Sequence, residues 1–293
     1  MFNSGSSQFM QPTNRDNLLT LVQSNFGKEP KDWFFEKLEI ILNSNSPRDL
    51  YIAYSLCGSK LDDTVLQRID SHDDLLNSYF SEHQITQVQL GRVALISCAL
   101  DENSDFFTPK VQNLIEVADK VELATFLRYL IVLPNPGVFQ MVAADALRTN
   151  IATVFNALSQ KNPYPGQYFN DQQWNQMFLK AAFMQCDLSG ISDIDKRANE
   201  DLSRIISDYA HERWAASRQV DPYFWRPTTK FIKNDLVNDM TRLFESSNPI
   251  ENKAAALCCF YANTKQAKEL IYQHPELVTQ IESGILTWDN LKH

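Results

Sequence analysis

Residues 170–183 read NDQQWNQMFLKAAF. Wound at about 100° per residue, Trp174, Met177, Phe178, Ala181, Ala182 and Met184 fall on one broad apolar face, while Leu179 and Phe183 cover much of the opposite side. Gln173, Gln176 and Lys180 leave only a narrow polar strip. Such a helix is expected to be largely enclosed by its neighbours, with Asn170 or Asp171 as its cap. Asn175 falls inside the apolar sector, where an amide without partners costs about 1–3 kcal/mol. A structural tie between helices or a contact to a ligand would satisfy it. Lys180 reads as solvated.

The wider stretch 162–226 opens NPYPGQYF and closes ERWAASRQVDPYFWR, mixing aromatic residues, asparagines and arginines more densely than the rest of the chain. A second helix is expected over 196–217. Its charged side gathers Arg197, Glu200, Asp201, Arg204, Asp208, His211, Glu212 and Arg218, laced at i, i+4, and is expected in solvent. The apolar side holds Leu202, Ile205, Ile206, Tyr209 and Ala210, with Arg213 at its centre and Asn199 and Ser217 nearby. An inward guanidinium requires a carboxylate, carbonyls or an anionic ligand, unless it snorkels out to water. Asp221-Pro222 then starts a short helix, and Tyr223, Phe224 and Trp225 follow in succession. Three adjacent aromatics cannot share one helical face. They pack between helices or, with Tyr164, Tyr168, Phe169 and Trp174, wall a pocket to which Arg213 and Arg226 bring anion-binding polarity.

Outward from this core, apolar residues recur at three-to-four spacing almost end to end. Pro30 and Ser46-Pro47 mark helix starts, 66–69 continues the helical pattern, Pro134-Asn135-Pro136-Gly137 is a break, and 139–158 forms the longest uninterrupted pattern. Only 8 Gly and 12 Pro in 293 residues leave few turns for a many-stranded sheet. The expected fold is all-α, an irregular array of antiparallel helix pairs like a HEAT-type α-solenoid. Residues 1–13 are expected to be a disordered tail, and 14–293 a single helical-repeat-like domain with its motif-rich core at 162–226.

A net charge of −9 disfavours binding to nucleic acid. The N-terminus lacks a secretory pattern, and no apolar run approaches the roughly 20 residues needed to cross a bilayer. A cytoplasmic protein is expected, with peripheral membrane association left open. Five cysteines, Cys57, Cys98, Cys186, Cys258 and Cys259, have no CxxC spacing and read as free thiols. Scattered histidines predict no metal site, and no cofactor is expected. GxSxG, P-loop, GxGxxG and HExxH patterns are absent. His211, alone on a charged face, suggests no special role.

NPYPGQYF, WNQMFLK, IDKRAN and ERWAASRQVDPYFWR, in this order, resemble the EboA-domain family, and PRDLYIAYSLCGSK is similar to its N-terminal element. The glycine common in the last family motif is Ser217 here. The resemblance implies a HEAT-like helical protein encoded beside a UbiA-type prenyltransferase, a TatD-like hydrolase, a dehydroquinate-synthase-like enzyme and a sugar-isomerase-like protein. Such clusters make or export small metabolites, including precursors of the pigment scytonemin. Carried over by motif, the positions to watch are Asn175, Lys180, Arg197, Asn199, Arg213, Arg218, Trp225 and Arg226; with Tyr209 they form the candidate ligand-binding set. The expected role is that of a non-catalytic or accessory protein that binds a small prenylated or anionic metabolite, or a partner enzyme of the cluster. An all-α enzyme acting on such a metabolite and a pure protein–protein scaffold are the alternatives.

Overall fold

The computed structural model describes residues 15–292, so the expected tail at 1–13 lies outside the described residues. Helices account for the regular structure, and among the described residues there is no strand, only a single antiparallel bridge between Val65 and Thr86. The chain clusters into two compact units: one of residues up to 158 with 162–164, the other of 159–161 and 165 onward.

The first unit runs through Arg15–Asn25 (α1), Lys28–Ser44 (α2), Pro47–Lys60 (α3), Asp74–Glu82 (α4), Gln87–Glu102 (α5), Ser104–Glu116 (α6), Lys120–Tyr129 (α7), Gln140–Ala146 (α8) and Ala152–Ser159 (α9, whose last residue belongs to the other unit). Helix α5 is buried on every side from Leu90 to Leu100, as a helix without a polar face must be, and α1, α2, α3, α6 and α7 surround it. Gly91 lets the Leu61 side chain, just past the end of α3, press against α5, because a Cβ there would lie 2.3 Å from Leu61 Cδ1. Arg92, also on α5, is buried and donates to Glu122 Oε1 and to the Tyr54 carbonyl, each at 3.3 Å. Losing one partner of so enclosed a pair costs about 3–5 kcal/mol.

Two expectations fail in this unit. Residues 66–69 are not helical; the bridge of Val65 to Thr86 and the Leu66 N–H bond to the Ile85 carbonyl tie the start of this segment to the chain just before α5, and a bend follows at Gln67. The pattern over 139–158 is broken between α8 and α9, where the Thr149 hydroxyl accepts the Ile151 N–H. Side-chain to backbone bonds of this kind compete with the helix.

The second unit contains Tyr164–Tyr168 (α10, whose first residue belongs to the other unit), Asp171–Phe183 (α11), Ile194–Arg197 (α12), Glu200–Ala215 (α13), Asp235–Phe244 (α14), Pro249–Tyr261 (α15), Lys265–Ile271 (α16) and Pro275–Glu282 (α17). Between α13 and α14, Pro222–Phe231 forms a 3₁₀ segment that packs on α12, α13 and α15. Asp221 caps it and Pro222 begins it, as expected. A 3₁₀ helix has three residues per turn, so neighbouring side chains point about 120° apart. Tyr223, Phe224 and Trp225 are all buried, each against a different ring. Tyr223 meets Trp288 edge-on at 5.6 Å, Phe224 stacks on Phe178 at 5.6 Å, and Trp225 stacks on Trp214 at 5.7 Å.

Helix α11 buries Trp174, Asn175, Met177, Phe178 and Ala181, but Phe183 is 71 % exposed. The expected covering of both sides therefore holds for only one. Asn170 caps the helix and accepts from Gln173, whose side chain accepts in return from the Asn170 N–H.

Candidate functional site

Asp195, Arg197 and Asn199 lie on alternate positions of one short segment, and each reaches a different part of the 162–226 stretch. The Asp195 carboxylate takes a two-pronged bond from Arg226, Nε to Oδ1 at 2.9 Å and Nη2 to Oδ2 at 2.7 Å. Burial opposes the charge on Arg226, but the Asp195 carboxylate outweighs it and raises the guanidinium above its ordinary range. Tyr223 Oη accepts a further bond from Arg226.

Arg197 does not stand on an exposed laced face. The chain breaks between α12 and α13, and the guanidinium turns back to α10, where Nη1 donates to the carbonyls of Gly166 at 3.0 Å and Phe169 at 2.8 Å. Nη2 pairs with Asp171 at 3.0 Å, and the Trp174 ring lies 5.3 Å beneath the guanidinium. Carbonyls left over at a helix C-terminus thus find a cationic donor. A Cβ at Gly166 would fall 2.2 Å from Asp193 Oδ2 and 3.0 Å from Asp193 Cβ, so a larger residue there would have to push the Asp193 side chain aside.

Asn199 and Asn175 exchange side-chain hydrogen bonds, Asn175 Nδ2 to Oδ1 at 3.1 Å and the reverse at 2.9 Å. Asn199 Oδ1 also caps α13 through the Leu202 N–H at 2.8 Å. The amide on the apolar face of α11 is satisfied by a neighbouring helix start. Lys180 is half-buried on α11, and Trp225 is fully buried.

Tyr209, Arg213 and Arg218 meet in one cavity of about 470 Å³, lined also by Ala182, Cys186 and Phe224. The end of α13 brings the arginines together. Arg218 N–H bonds to the Arg213 carbonyl at 2.8 Å and Ser217 N–H to the Trp214 carbonyl at 2.9 Å, with Ser217 in the left-handed region at φ 54°. These are the paired bonds of a Schellman ending. Arg213 is half-buried; its Nε and Nη2 donate to the Gln219 carbonyl at 3.2 and 3.0 Å, and its guanidinium lies 6.0 Å from the Tyr209 ring. A carbonyl shares the positive charge without cancelling it. The exposed side chain of Arg218 makes no hydrogen bond or ion pair among the described residues.

A second cavity of about 340 Å³ adjoins the first through the shared Gln185, Cys186 and Asp221, and adds Asp187, Ser189, Tyr223, Trp288, Asp289 and Lys292. Asp187 holds its carboxyl below the ordinary value: partial burial works against this, while the Ser189 hydroxyl and N–H and the Lys292 ammonium outweigh it. Of the candidate residues, then, Tyr209, Arg213 and Arg218 face a cavity, Asn175, Arg197, Asn199 and Arg226 bind helices to one another, and Lys180 and Trp225 line neither space.

One polar cluster escaped the sequence reading. Asp239, 2 % exposed, accepts from Ser207 Oγ at 2.6 Å and pairs with His211 Nε2 at 2.6 Å, joining α14 to α13. The signal was present in α14: Leu236, Asp239, Met240 and Leu243 are spaced as one buried face, with an acid among the apolar residues. Arg242 lies 4.2 Å from the Trp214 ring beside this cluster. Among the described residues no three His, Cys, Asp or Glu side chains gather as a metal site requires, and no helix is long and apolar enough to cross a membrane.

Residues 15–229 match the family described as "Metabolite traffic protein EboA", a span that includes α1 to α13, the segment 195–199 and the arginine-lined cavity. No curated protein and no solved structure matches the chain. With most of its length matched from the first described helix to the buried 3₁₀ segment, the chain belongs to the EboA family.

Proposed function

We propose that this chain is a non-catalytic, accessory protein that binds a small anionic metabolite between Tyr209, Arg213 and Arg218, and so serves the making or movement of a secondary metabolite. The observation that carries this reading is the pair of arginines held at one helix end beside an aromatic-walled space of about 470 Å³. Arg213 is anchored on a carbonyl, and the exposed Arg218 side chain makes no hydrogen bond or ion pair among the described residues. Small-molecule sites combine apolar walls with a few oriented polar groups in this way. The family description, metabolite traffic, supports the same direction. A cytoplasmic location, a HEAT-like course of the helices, peripheral contact with a membrane, and cooperation with a prenyltransferase, hydrolase or isomerase of the same cluster belong to this proposal.

Thermal-shift screening with small carboxylates and phosphate esters tests it. Ligands that raise the melting temperature of the wild type should lose that effect in Arg213→Ala and Arg218→Ala. An equal shift in all three proteins, or none with any anion, contradicts the site.

An all-α enzyme is the second reading, favoured by His211, whose ring is fixed by the buried Asp239 beside an open cavity of about 640 Å³. A buried carboxylate that orients an imidazole is a common arrangement for general-base chemistry. It predicts turnover that His211→Gln abolishes while ligand binding persists.

A further inference from the structure

The two adjoining cavities carry opposite charge. Arg213 and Arg218 stand in one, Asp187 and Asp289 line the other, and Asp221 lies where the two join. Aromatic rings continue along both, Tyr209 and Phe224 at the basic end, Tyr223 and Trp288 at the acidic end. An ammonium group already occupies the acidic end: Lys292 Nζ bonds to Asp221 Oδ2 at 2.8 Å, lies 3.8 Å from Asp187 Oδ1, and sits 5.8 Å from the Tyr223 ring centre. Each carboxylate also caps its own 3₁₀ turn, Asp187 through Ser189 N–H and Asp221 through Tyr223 N–H, so both are held in place whether or not the lysine is present. Carboxylates together with an aromatic face form the usual surroundings of an organic ammonium ion.

Resting on the anion-site reading above, we infer that the joined cavities select a zwitterionic ligand, its acidic group at Arg213 and Arg218 and its ammonium at Asp187 and Asp221 in the place of Lys292. The lysine is then an internal competitor, carried on residues 285–292, which the buried Leu286 and Leu291 anchor. Its side chain is 38 % exposed, so it can swing into water without disturbing those anchors. A ligand with only the acidic group gains nothing when the lysine leaves. A ligand carrying both groups gains an ion pair and a ring contact.

Calorimetric titration with the unbranched series from ω-aminobutyrate to ω-aminooctanoate, against the matched fatty carboxylates and alkylamines, tests this. In the wild type the best ω-amino acid should bind more tightly than its matched carboxylate. Lys292→Ala should widen that margin about tenfold, equivalent to roughly 1.4 kcal/mol, and Lys292→Gln should behave alike. Carboxylates that bind through Arg213 with no gain from the ammonium, in the wild type and both variants, overturn the zwitterion inference and leave the anion site standing. Failure of every probe to bind overturns both.

Discussion

The backbone N–H of Arg218 bonds to the carbonyl of Arg213 at 2.8 Å, and the residue that makes this bond geometrically attainable is Ser217 at φ 54°. A β-carbon in that left-handed conformation is crowded, at a cost of about 1–2 kcal/mol. Ser217→Gly should therefore raise stability. The looser unfolded chain takes back part of the gain, leaving up to about 1 kcal/mol and a melting temperature higher by about 2 °C. Scanning calorimetry checks it. A lower melting temperature would mean that the serine side chain stabilises the turn in a way its backbone does not reveal.

The reciprocal amides of Asn175 and Asn199 should behave as one unit. Asn175→Ala orphans its partner and should cost about 1–3 kcal/mol. Asn199→Ala removes the cap of α13 as well and should cost about 1 kcal/mol more. The double variant should lose less than the sum, because the second removal leaves no amide to strand. Urea unfolding of the four proteins gives the coupling, and strict additivity would argue against the pair.

Arg197→Lys tests whether geometry or charge matters where α10 ends. The guanidinium serves the Gly166 and Phe169 carbonyls and Asp171 at once and lies over Trp174. An ammonium keeps the charge but not the planar fork. About 1–3 kcal/mol should be lost, and urea midpoints report it. A lysine variant as stable as the wild type would reduce Arg197 to a simple cation.

The five thiols should react unequally. Burial pushes Cys57, Cys98 and Cys258 up to about 12 and raises Cys259 as well. Near neutral pH they are then unreactive, since the thiolate is the attacking form. Cys186, half-buried at the join of the two cavities, is raised only by its partial burial. Ellman's reagent should modify Cys186 alone in the folded protein, slowly, and all five in denaturant. Cys186→Ser should abolish the native reaction, and a cavity ligand should slow it in the wild type. Rapid modification of several thiols would contradict the buried placement.

Periodicity carried the all-helical fold because the pattern of Trp174, Met177, Phe178 and Ala181 depends only on which side chains leave water. It failed at 66–69 and at 147–151, where bonds to a distant backbone or a local threonine decide the conformation. The inward position of Asn175 was legible from its apolar neighbours, but its partner, Asn199, was not. Periodicity alone runs one helix through 196–217 and sets Arg197 on its charged face; the break at Ala198 turns the same residue to α10. Asp239 stood on the apolar face of α14, yet a buried acid is recognisable only once His211 and Ser207 are seen to meet it. Nothing in the spacing of residues 284–292 indicated that Trp288 and Lys292 would return to Tyr223, since contacts between distant segments leave no periodic trace.

Native mass spectrometry of the protein purified from the cells that naturally produce it tests the central claim most directly. The account predicts a non-covalent small-molecule adduct on the wild type that is lost in Arg213→Ala and Arg218→Ala, each shown by circular dichroism to be folded. An adduct of the same mass and occupancy on all three proteins, or none on the wild type even when small carboxylates and phosphate esters are supplied in excess, would contradict it.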